Sequence, residues 1–170
     1  YPMGRFRIKK HNISKRGKRI RKVFSSGRFD VFAVPVKHSI PTLAYAIIEK
    51  DKVSIDMRKA ISMGLPKEGE FYARLKKKGR IKVGGKNIRL KDISHTVKGK
   101  KIVYSGDTEI CDNLKRIVWE ADLLIMDCTY FEDVGKDKPH RHASLPEIIK
   151  MAPKARVKKP ILTHVRRKYR

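Results

Sequence analysis

The chain has 170 residues, 43 of them Lys or Arg against 17 Asp or Glu, giving a formal charge of +26. So large an imbalance repels itself in a folded protein and fits a polyanionic partner, above all the closely spaced phosphates of nucleic acid. With 40% hydrophobic residues the length suffices for one domain with a real core, whereas no run of about 18 apolar residues offers a membrane span. No basic-then-apolar leader opens the chain, so a cytoplasmic protein with no membrane partner is expected.

Two cysteines, Cys111 and Cys128, exclude a disulfide framework and a four-thiolate zinc site, and they read as small buried hydrophobes. Gln is absent and Asn scarce, a composition consistent with a hot-growing organism.

Residues 1–28 carry eleven Lys or Arg and no acid. Such a segment cannot bury enough apolar surface to fold alone and reads as an arm that orders against RNA. Its candidate phosphate contacts are Arg5, Arg7, Lys9, Lys10, Lys15, Arg16, Lys18, Arg19, Arg21, Lys22 and Arg28. From Phe29 the pattern changes: FDVFAVPV and TLAYAIIE are β-rich runs separated by the turn-like His38-Ser39-Ile40-Pro41. Asp56 can cap a short helix that stops at Gly64, and EFYARLKKK forms a second that stops at Gly79. Phe71 and Tyr72 with Lys76, Lys77 and Lys78 could offer a stacking-plus-phosphate surface. A helix with one buried aromatic and a solvated basic end explains them equally well.

IKVGGKNIRL then predicts a hairpin turning at Gly84-Gly85, and KIVYS a short buried strand. A helix begins near Cys111 and ends in IVWE, with Trp119 expected in the core. DLLIMD is another buried strand. Ser144-Leu145-Pro146-Glu147 has capping-box spacing and starts a helix running to about Ala152, and PILTH closes the body as a strand. Strands and helices alternate in the second half, which predicts a layered α/β domain. After Glu147 the chain is again purely basic, and Lys158, Lys159, Arg166, Arg167, Lys168 and Arg170 join the candidate RNA contacts.

Five short blocks stand in one order: VPVKHSIPTLAYAIIE, KIVYSGDT, DLLIMDCTY, HASLPE and PILTHVRRKY. Together, over about Phe29 to Tyr169, they resemble the C-terminal half of tRNase Z, the tRNA 3′-processing endonuclease of the metallo-β-lactamase superfamily. The resemblance implies a truncated metallo-β-lactamase-like fold, half of an αββα sandwich, with a basic N-terminal arm. It divides the chain into an arm (1–28), a tRNase Z-like domain (29–165) and a basic tail (166–170). It also implies that Asp107 matches an Asp bridging two zinc ions, that His164 matches a zinc ligand, and that His142 matches a His assisting the leaving group.

The family's HEAT block has become Met126-Asp127-Cys128-Thr129, which loses the His and shortens the Glu. The Ser of its last block gives way to Arg166-Arg167-Lys168. Its HxHxDH signature is missing, since the one HxH here is His140-Arg141-His142. Asp107, His142 and His164 are therefore expected to be vestigial, hydrogen-bonded at strand ends, with no metal, no cofactor and no enzymatic activity. His38 is expected to be a loop or rim residue.

Lost ligands and accumulated cations lead to the expectation of a structural rRNA-binding protein, archaeal and on the large ribosomal subunit, with neighbouring ribosomal proteins as partners. A subunit of a split tRNA 3′-processing endonuclease and a general nucleic-acid-binding protein are the alternatives. Half a sandwich is also expected to expose a sheet face that its missing partner would have covered.

Overall fold

β-Branched and aromatic residues in FDVFAVPV and TLAYAIIE form β2 (Phe29–Val36) and β3 (Thr42–Glu49), paired antiparallel from Phe29–Glu49 to Val36–Thr42. The computed structural model describes residues 12, 13, 17–135 and 141–169. These residues form two compact units, one built from the chain up to Glu49 and from Lys100 onward, the other from Lys50–Gly99. Among them no helix is long and apolar enough to cross a membrane.

The first unit holds a six-stranded sheet. Its edge strand β1 (Arg21–Ser25) lies antiparallel to β2 with an irregularity between Lys22 and Phe24. Asp30 holds this edge, accepting from Lys22 Nζ at 2.7 Å and Ser25 Oγ at 2.6 Å. The last part of the basic arm is thus drawn into the sheet. Further back, Asn113 Nδ2 donates to the Gly17 carbonyl at 3.1 Å, and Arg116 donates to that of Lys18.

Beyond β3 come β8 (Lys101–Tyr104), β9 (Leu123–Asp127) and β10 (Pro160–Thr163). β8 pairs antiparallel with β3, whereas β8, β9 and β10 are mutually parallel. The crossovers carry helices α3 (Asp112–Val118) and α4 (Leu145–Lys154). Glu147 accepts from the backbone N–H and hydroxyl of Ser144, at 3.0 and 2.8 Å, which realises the cap expected there.

Both helices pack on one face of the sheet, where Val34, Ala44, Val103, Leu124 and Met126 meet Leu114, Ile117, Val118 and Ile148. The period-2 alternation of a strand sends the intervening residues to the other face. Tyr45, Tyr104, Ile125 and Ile161 lie cross-strand in one row, and Ile47, Ile102 and Leu123 in the next. Tyr45, Ile47, Ile102, Tyr104 and Ile161 are exposed. The uncovered sheet face expected from the resemblance is present.

Trp119 departs from its expected place in the core. Helix α3 ends at Val118, the backbone turns extended at Trp119 (φ −50°, ψ 124°), and the indole stands 46% exposed under the Arg156 guanidinium. In the tail, Lys168 pairs with Glu132 at 3.2 Å, and Arg166 lies over Tyr130. Both cysteines are buried, and burial pushes the Cys128 thiol up to about 11.

The second unit has its own core of Ala60, Leu65, Leu75, Ile88 and Ile93. Asp56 caps α1 (Met57–Ser62) by accepting from the N–H groups of Arg58 and Lys59. α2 (Phe71–Lys78) stops at Gly79 in the left-handed region, as expected. The hairpin of β5 (Arg80–Val83) and β6 (Lys86–Arg89) turns at Gly84-Gly85, both at positive φ. β4 (Lys52–Ile55) and β7 (Ser94–Val97) form a second ribbon. Phe71 and Tyr72 pack against this core, and Tyr72 donates its hydroxyl hydrogen to the Pro66 carbonyl.

Candidate metal centre

Parallel strands bring their carboxyl ends to one edge of a sheet, the usual place for a site in α/β folds. Asp127 ends β9, His164 follows β10, and Asp107 follows β8 after the turn Ser105-Gly106. Gly106 is required there. Its φ is +61°, and a Cβ would lie 2.8 Å from Thr42 Cγ2 and 2.9 Å from the Leu43 carbonyl oxygen. His142 arrives from the segment before α4, beside the isolated bridge between Tyr130 and Ser144.

One ligand atom from each of Asp107, His142 and His164 lies within 4.8 Å of the other two. The imidazoles of His142 and His164 stack at 4.8 Å, and His164 Nε2 is 3.6 Å from an Asp107 oxygen. The three residues expected to be vestigial therefore form one cluster.

Behind it lies a hydrogen-bond relay. Asp127, 1% exposed, accepts from the Thr108 N–H at 2.9 Å, the Thr129 hydroxyl at 2.8 Å and His142 Nδ1 at 2.6 Å. Because Thr129 gives its hydroxyl hydrogen to Asp127, its oxygen accepts from His164 Nδ1 at 2.8 Å. Both imidazoles thereby carry the proton on Nδ1, and Nε2 is left on each as the lone-pair nitrogen. His164 holds this position at a φ of +57°, the kind of backbone strain that concentrates at functional sites.

His38 joins the group from the loop after β2. Its ring lies 4.7 Å from that of His142, and its buried Nδ1 makes no hydrogen bond. A buried, unsatisfied imidazole nitrogen is costly unless something occupies it. Together with His164 Nε2 and the Asp107 carboxylate, it makes a donor set that fits zinc. The sequence singled out Asp107, His142 and His164, took His38 for a loop or rim residue, and read Asp127 as a shortened Glu.

Of the expected RNA contacts, Arg5, Arg7, Lys9, Lys10, Lys15, Arg16 and Arg170 lie outside the described residues. Lys22, Lys158 and Lys168 are engaged in ion pairs with Asp30, Asp122 and Glu132. Lys18, Arg19, Arg21, Arg28, Lys159, Arg166 and Arg167 are exposed.

A mixed sheet with helices on one face and a histidine–aspartate cluster at its carboxyl edge defines a truncated metallo-β-lactamase-like fold. Human tRNase Z, short form, has that fold, with a TM-score of 0.53 at 21% identity over 89% of this chain and 42% of its own. The chain is also 33% identical over 142 residues to a Ribonuclease Z of Methanosarcina acetivorans, covering 82% of this chain and 46% of that protein. It is 36% identical over 144 residues to a Ribonuclease Z of Thermococcus sibiricus, covering 84% and 46%. The chain is thus a tRNase Z-like protein, and it spans about half the length of the curated relatives it matches. No protein-family model matches the sequence.

These findings overturn the expectation that the protein is not an enzyme. Its relatives are named for an enzyme, and Asp107, His142 and His164, expected to be vestigial, converge on one cluster that could hold a metal ion.

Proposed function

We propose that the chain provides the metal-binding C-terminal half of a tRNase Z-type ribonuclease that hydrolyses a phosphodiester bond in tRNA. The observation that carries this reading is the convergence of Asp107, His142 and His164 in front of the Asp127–Thr129 relay. Asp107, His164 and the unsatisfied His38 are the residues to hold zinc. Bound there, zinc would supply Lewis acidity and a water acidified enough to act near neutral pH.

His142 has a different task. Asp127 fixes its ring through Nδ1, so Nε2 is the atom through which a proton can pass to the departing oxygen. The rest of a dinuclear ligand set belongs to the other half of the sandwich. Its sheet would cover the row of Tyr45, Tyr104, Ile125 and Ile161, an apolar face suited to sheet-on-sheet packing.

The test combines metal content with activity. Mixed with the separately produced N-terminal half of a related Ribonuclease Z, the chain is expected to bind zinc and cleave a tRNA precursor. Asp107→Ala and His164→Ala should each lower zinc affinity by about 10-fold or more. Zinc binding unchanged in both variants, with no cleavage by the mixture, would sink this reading.

A second reading, an rRNA-binding component of the ribosome, is favoured by the charge of +26 alone. Fractionation of cell extract at high salt tests it: the chain would travel with a ribosomal subunit, whereas a processing enzyme would stay in the unbound fraction.

A further inference from the structure

A groove of about 590 Å³ opens between α3 and α4. Ile110, Met151 and Ala155 give it an apolar lining, and Lys115, Lys150 and Lys154 add cations. Trp119, the one tryptophan of the chain, lines it too. The indole is 46% exposed, yet it is held in place: the Arg156 guanidinium lies 5.4 Å from its ring centroid and pairs with Glu120 at 3.1 Å. Glu120 and Arg156 both sit at a φ of 54°, where glycine would be at ease. Backbone strain of this kind collects at ligand clamps.

The charges of α4 are not arranged for the helix's own benefit. Lys150 and Lys154 are four residues apart, so they repel each other on one face. Helix polarity accounts for Lys154, in the last turn, but not for Lys150. Both are exposed and form no ion pair among the described residues. Lys115, by contrast, has Asp112 at 3.3 Å. An apolar floor beside an anchored indole and unpaired cations matches the way a groove receives an amphipathic helix, and Trp and Arg are the residues that most often dominate such contacts.

We infer that this groove docks an acidic amphipathic helix of a partner protein. Its apolar side chains rest on Trp119 and Met151, and its carboxylates meet Lys150 and Lys154. A second copy of this chain is a poor occupant, because a protein of charge +26 brings further cations to a cationic rim. A polynucleotide fits less well, since its phosphates would leave the apolar floor bare and approach Glu147, which also lines the groove. The groove is built from α3 and α4 and contains none of the clustered residues Asp107, His142 and His164, so docking there is separable from hydrolysis.

The experiment selects random peptides of about 16 residues, lacking Trp, on the full chain in about 300 mM salt, which screens diffuse attraction to its surface charge. Selected peptides should be acidic, with apolar residues three and four apart. They should shift the emission of Trp119 to the blue as the indole leaves water. By anisotropy of the labelled peptides, Trp119→Ala should weaken binding about 30-fold. Lys150→Gln/Lys154→Gln should weaken it about 5-fold with Tm unchanged or raised, because a repulsion is removed. Lys67→Gln/Lys82→Gln, an equal charge change in the other unit, should cost less than about 2-fold. A selection without binders, or binders that leave Trp119 emission unmoved or bind Trp119→Ala equally well, would overturn the inference. Oligouridine that displaces the peptides and quenches Trp119 at the same salt would overturn it in favour of nucleic acid.

Discussion

Asp127 and Asp107 are both aspartates at the ends of parallel strands, yet they do opposite work. Asp127 is buried and satisfies three donors, whereas Asp107 is 39% exposed and faces the cluster. Asp127→Ala orphans those donors and should cost about 3 kcal/mol of stability, while Asp107→Ala should stay within about 0.5 kcal/mol. Urea unfolding of the two variants checks this, and equal destabilisation would contradict the division of roles. Little of the contrast is legible in the sequence. Shortening Glu to Asp there looks like a lost residue, but the carboxylate still reaches His142 at 2.6 Å. His38 was equally hidden, because only the folded chain sets its ring beside His142.

Among the elements, those with strong local signals were legible. The runs that became β2, β3, β8, β9 and β10, the cap at Asp56, the stop at Gly79 and the Gly84-Gly85 turn all carry their information within a few residues. β4 and β7 do not: each is four residues long, charged or polar in part, and pairs with a strand far along the chain. β1 was hidden in a segment whose charge pointed to an arm, and its anchor, Asp30, belongs to the next strand.

Asp122 shows how element ends are held. It accepts from Lys158 Nζ at 2.7 Å, from the Lys101 N–H at 2.9 Å and from Lys100 Nζ at 3.3 Å, which joins the starts of β8 and β9 to the approach to β10. The Lys158 hydrogen bond, first among these, holds its carboxyl down to about 2. An unfolded Asp titrates near ~4, so this contribution is complete above that pH and disappears as pH falls towards 2. Asp122→Asn should cost about 1 to 2 kcal/mol at pH 7 and nearly nothing at pH 2, measured by denaturant titration at both. A loss independent of pH would assign the effect to packing.

At the scale of the whole molecule, the candidate metal cluster and the Lys50–Gly99 unit come from different stretches of one chain. The join between the two units has a simple form. Glu49 closes β3, Lys100 precedes β8, and the Glu49 N–H donates to the Lys100 carbonyl at 2.8 Å, so the chain leaves and re-enters the large sheet at one hydrogen-bonded pair. Topologically, the intervening residues are a very long hairpin loop. Replacing 50–99 with Asn-Gly should leave β3 and β8 joined by a tight two-residue turn of matching twist. The shortened protein is expected to keep a cooperative thermal transition and the zinc affinity proposed for the Asp107 cluster. The segment is then an exchangeable cassette: one closing pair sets its frame, and sequences between Glu49 and Lys100 can be swapped without altering the strand register that brings Asp107 and His164 together.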